Sequence, residues 1–177
     1  MTPPTGALAL LFSLITTRPV SQPFQVAADT APLEFHGFRA GARLDHLQML
    51  VRSIADGKLR CDPAKTDRHV TECRGTMSDP ELGGPVNLWI SAIDSVASVI
   101  TLSCGVTADQ LDRWRQTLED RYGRVDAKVQ GTQWMMQWVR QGRMLRLTWR
   151  IDHGEKTASV SLVDGRVLDQ WHGGRRR

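Results

Sequence analysis

From Leu44 onward the apolar positions fall at helical spacing. Leu44, Leu47, Leu50, Val51 and Ile54 share one face. Asp56-Gly57 is a stop signal after them. A second helix is better signalled. Thr107 and Gln110 have the spacing of a capping box, and Val106 and Leu111 that of a hydrophobic staple. Leu111, Trp114, Leu118 and Tyr122 then line one face, and Gly123 ends it.

Elsewhere the pattern alternates, which predicts half-buried strands. Short strands are expected at Leu59–Cys61 and Val70–Arg74, a loop at Asp79–Pro85, and a hairpin of Val86–Ile93 with Ala97–Cys104. Facing Leu88 with Leu102 and Ile90 with Ile100 puts Cys104 on the buried side. After a strand near Val125–Val129, Trp134–Arg140 and Arg143–Ile151 flank Gln141-Gly142, a two-residue turn. That turn sets Trp134 against Trp149, Met136 against Leu147 and Trp138 against Leu145, so Trp114, Trp134, Trp138 and Trp149 are all expected in the core. Lys156–Val163 continues the meander with Ala158, Val160 and Leu162 on the same face, leaving Gln133, Gln137, Arg146 and Arg150 on the other. The expected fold is therefore α+β, an antiparallel sheet with two helices packed on it. The order suggests a tandem α-β4 repeat, with a domain over 35–171, halves 35–104 and 105–171, a lead-in at 29–34 and a basic tail at 172–177.

Ala7–Ile15 is a nine-residue apolar run. It is too short to span a bilayer, which takes about 20 residues, and it has the length of a signal-peptide core. Pro19 and Pro23 follow, and Val26-Ala27-Ala28 offers small residues for cleavage. Residues 1–28 read as a signal peptide, and the mature chain as secreted or periplasmic, with no transmembrane span. No cysteine follows the run to carry a lipid.

Charge changes little. The chain is +4 overall, but the tail Arg175-Arg176-Arg177 contributes three charges and Arg18 one, which leaves the body at 19 basic and 19 acidic residues. A neutral body argues against nucleic acid as a partner, although Arg and Trp interleave at 113–115, 138–140 and 146–150. In an exported chain, Cys61 and Cys73 are expected to form a disulfide. A zinc site drawing on Cys61, His69, Cys73 and Cys104 is the alternative, without the close cysteine pair such sites use.

The tandem helix-plus-meander order, the paired Cys61 and Cys73, and the helix exit Leu118-Glu119-Asp120-Arg121-Tyr122-Gly123 resemble β-lactamase inhibitory proteins and small outer-membrane-assembly lipoproteins. The resemblance covers about residues 35–171 and implies a protein that binds other proteins and is not an enzyme. It carries over no individual binding residue.

The sequence holds no hydrolase nucleophile elbow, no phosphate-cradling glycine loop and no His-Glu-x-x-His. No catalytic, cofactor or metal residue is assigned, and no cofactor is expected. The leading reading is an exported binding or scaffold module that acts through a sheet face on another exported or envelope protein. The alternative is a secreted hydrolase or similar enzyme with a non-local active site. Trp89 and Trp171 fall off the buried pattern, and with Arg146 and Arg150 they form the candidate partner surface.

Overall fold

The structure is a computed structural model that describes residues 31–54, 59–79 and 81–174. The expected signal peptide, the Asp56-Gly57 stop and the terminal arginines lie outside the described residues. The elements are α1 (Leu44–Ile54), β1 (Arg60–Ala64), β2 (Asp67–Asp79), β3 (Gly84–Ile93), β4 (Val96–Gly105), α2 (Ala108–Tyr122), β5 (Lys128–Gln130), β6 (Gln133–Arg140), β7 (Arg143–Asp152), β8 (Glu155–Asp164) and α3 (Gly165–Gly174). The strands form one antiparallel sheet in the order β1-β2-β3-β4-β8-β7-β6-β5, so two four-stranded meanders meet at their last strands.

The hairpin registers follow from the turns. Asp94-Ser95, Gln141-Gly142 and His153-Gly154 are two-residue connections with positive φ at both positions. Such turns match the strand twist and lock the pairing. Leu88 faces Leu102, Ile90 faces Ile100, Trp134 faces Trp149 and Leu145 faces Leu162, as the alternation requires. Between Ser91 and Ala92 the register slips by one residue on β4. Ser98 is the extra residue there, buried, with its hydroxyl donating to the Ser91 carbonyl at 3.0 Å.

One face of the sheet carries the core. Leu88, Ile90, Ile100, Leu102, Leu145, Leu147, Val160 and Leu162 are buried beneath α1 and α2. The Thr107 hydroxyl caps α2 by accepting from Gln110 N at 3.2 Å, and the Gln110 side chain is itself buried against Gly83. At the far end of α2, Gly123 takes a positive φ, Trp138 Nε1 donates to its carbonyl at 2.8 Å, and Arg140 donates to the Tyr122 carbonyl at 2.6 Å. The segment before α1 belongs to this core. Leu33, Phe35 and Phe38 are buried, Phe35 meets the Trp114 ring edge-on at 5.1 Å, and Tyr122 Oη accepts from Glu34 N at 2.9 Å.

Three expectations are corrected. Trp134 sits on the core face but is 43% exposed, because α2 reaches only as far as Trp149, over which Arg115 lies at 5.5 Å. The first-half strands are longer than expected: β2 runs from Asp67 to Asp79, pairing with β1 on one side and β3 on the other. The third helix, α3, was not foreseen, and it runs through Gly174 into the segment read as a tail.

α3 covers one end of the second sheet face. It packs against β3, β4 and β7, while α1 holds the core side. Ile93 points to the second face through its pairing with Val96, yet it is buried. Trp171 Nε1 donates to Asp67 Oδ2 at 3.0 Å, tying the helix to the start of β2.

Candidate functional site

Beyond α3 no other described element covers the second face. Strand pairing lines up one row of side chains across seven strands: Arg60, Arg74, Trp89, Thr101, Ser161, Arg146 and Gln137. The next row holds Thr76, Asn87, Ser103, Ser159, Thr148 and Met135. Alternation explains the composition, since most of these residues are polar and follow or precede a core residue by one position. The two central strands, β4 and β8, present only short hydroxyls here, and Thr101 and Ser161 hydrogen-bond each other at 3.2 Å.

The taller side chains stand to either side. Next to Trp89 is a hollow of about 560 Å³ lined by Arg60, Arg74, Thr76, Asn87, Thr101 and Ser103. Over β6, β7 and β8 is one of about 190 Å³ lined by Gln133, Thr148, Arg150, Thr157 and Ser159. At the β1 edge a third, about 590 Å³, is lined by Arg60, Asp62, Lys65, Glu72 and Arg74.

The charges differ between the two sides. Arg60 and Arg74 face each other across the strands, and so do Asp62 and Glu72. Like charges directly opposite destabilise a sheet. Each arginine instead leans along its own strand, Arg60 to Asp62 at 3.3 Å and Arg74 to Glu72 at 3.4 Å. On β7, Arg146 is held by Gln137, whose Oε1 accepts from Nε at 3.2 Å and from a terminal nitrogen at 2.9 Å. Among the described residues no carboxylate lies in ion-pair range of Arg146 or of the exposed Arg150.

The structure thus brings Trp89, Arg146 and Arg150 onto one face, and places Trp171 on α3, half-buried and bonded to Asp67. Sequence reasoning placed Gln137, Arg146 and Arg150 together but missed Thr101, Ser103, Ser159 and Ser161. Their signal was a run of small hydroxyl residues on the polar side of two strands.

Other chemistry-bearing groups lie apart. Cys61 and Cys73 form a disulfide across β1 and β2, with Cα atoms 4.0 Å apart, and Cys104 is a buried free thiol whose pKa burial pushes up. His69 Nδ1 meets Asp94 Oδ1 at 2.8 Å at the exposed β3–β4 turn, and His36 lies 3.6 Å from Glu81. Among the described residues no three metal-capable side chains cluster, and no helix is long and apolar enough to cross a membrane.

No known protein family matches the chain, and neither does any curated protein or solved structure.

Proposed function

We propose that this chain is an exported, non-catalytic binding module that captures another exported or envelope protein on the bare sheet face. The observation that carries the reading is the composition of that face. Its centre is a floor of short hydroxyls, and its sides are arginines, amides and the half-buried Trp89. Arginine makes several directed hydrogen bonds from a planar group, and Trp is a frequent interface anchor. The Cys61–Cys73 disulfide suits an oxidising compartment, in line with the apolar run at 7–15. The resemblance in element order to protein-binding exported families points the same way.

The test is capture from the exported fraction by the immobilised chain. Replacing Arg146 and Arg150 together by Ala should leave the fold intact and abolish capture, while Arg113→Ala, on the outer side of α2, should not affect it. Capture that survives the double replacement would remove this face from consideration.

A further inference from the structure

The bare face is a groove with a direction. Its floor runs along β4 and β8, where Thr101, Ser103, Ser159 and Ser161 are short. Trp89 on β3 forms one wall, and Arg146 and Arg150 on β7 form the other. Three inter-strand steps separate β3 from β7, about 14 Å, and the wall side chains take part of that width. That width accommodates one extended chain between the wall side chains. α3 closes one end, as the burial of Ile93 shows.

The basic wall has a period. Arg146 and Arg150 are four residues apart on one strand and point to the same side, which sets them about 13 Å apart. An extended polypeptide lying along the groove has the same rise per residue. Carboxylates at positions i and i+4 of such a chain face the two arginines together, while those at i and i+3 point to opposite sides. Neither arginine has a carboxylate partner among the described residues, so both are open to carboxylates of a ligand.

We propose that the groove over β4 and β8 binds an extended acidic segment of the partner, with two carboxylates four residues apart on Arg146 and Arg150 and an apolar side chain against Trp89. This rests on the reading that the bare face is the binding face.

The experiment titrates the full chain with two labelled peptides of identical composition, each an Asp pair and one Leu in a Ser/Gly background. One places the Asp residues at i and i+4, the other at i and i+3. An oligogalacturonate of equal charge is the third probe. Fluorescence anisotropy at low salt should show the i, i+4 peptide binding roughly tenfold tighter than the other, with the preference lost in the Arg146→Ala/Arg150→Ala protein and kept in Arg113→Ala. Equal binding of the two peptides, no binding of either, or tighter binding of the oligosaccharide would overturn the proposal. If the double replacement abolishes capture from the exported fraction while neither peptide binds, the binding face stands and the acidic-segment proposal falls. If capture is indifferent to the replacement, the face itself is wrong.

Discussion

Asp164 ends β8 with its side chain 1% exposed. Its carboxylate accepts from Arg143 Nε at 2.8 Å and from Arg166 through a terminal nitrogen at 2.9 Å, Nε at 3.1 Å and the backbone N at 3.1 Å. Burial pushes its pKa up, but the hydrogen bonds and charges of Arg166 and Arg143 outweigh burial and bring it from 3.8 down to about 2. At about 1.36 kcal/mol per pH unit, that gap is worth about 2 kcal/mol of folding stability. The folded value is the depressed one, so the contribution is complete above about pH 4 and is lost as the pH falls toward 2. Asp164→Asn keeps the shape and removes the charge. Urea unfolding of both proteins should differ by about 2 kcal/mol at pH 7, hold that difference to about pH 4, and converge near pH 2. The other carboxylates titrate in both proteins, so the difference isolates this one. A gap that does not change with pH, or one that widens on acidification, would refute the reasoning.

Replacing Cys61 and Cys73 together by Ala should lower stability by about 2–4 kcal/mol, and non-reducing peptide mapping should find Cys104 as the free thiol. Cys104 should react with a thiol reagent at pH 8 only after unfolding, because burial both shields it and raises its pKa. Trp149→Ala should cost about 3–5 kcal/mol in chemical denaturation, and Trp134→Ala only about 1–2 kcal/mol, mostly the stacking on Trp149 at 6.3 Å. Tyr122→Phe should cost about 1 kcal/mol and raise proteolytic cleavage near residues 32–34, where the lost hydroxyl bonded Pro32 and Glu34.

β6, β7 and β8 were legible down to their register, because two-residue turns leave few pairings and the apolar residues of all three agree on one face, whereas the strand expected near Val125–Val129 is only Lys128–Gln130. Helix α2 was legible because its cap, staple and exit coincide. What escaped has physical reasons. β2 is mostly polar, with Arg68, Thr71, Glu72, Arg74, Thr76 and Ser78 along it, and its length comes from pairing on both sides rather than from alternation. In α3 the apolar residues are only Val167, Leu168 and Trp171, too few to show a period. Trp134 obeyed the alternation, but alternation says which face a residue takes and not how far the covering helix extends. The same limit applies to the groove. Arg146 and Arg150 were placed on the polar face from sequence. Their position across from Trp89 depends on β4 pairing with β8, a contact between residues about 60 positions apart that no local pattern encodes.

Site-specific photo-cross-linking tests the proposed binding face most directly. A photoreactive phenylalanine derivative would replace Ser103 on the groove floor, and in a second protein Gln116 on the exposed side of α2. One discrete protein adduct from the exported fraction is expected at position 103, absent when Arg146 and Arg150 are also changed to Ala, and none at position 116. An adduct at 116 with none at 103, or one at 103 that persists without both arginines, would contradict the proposed face.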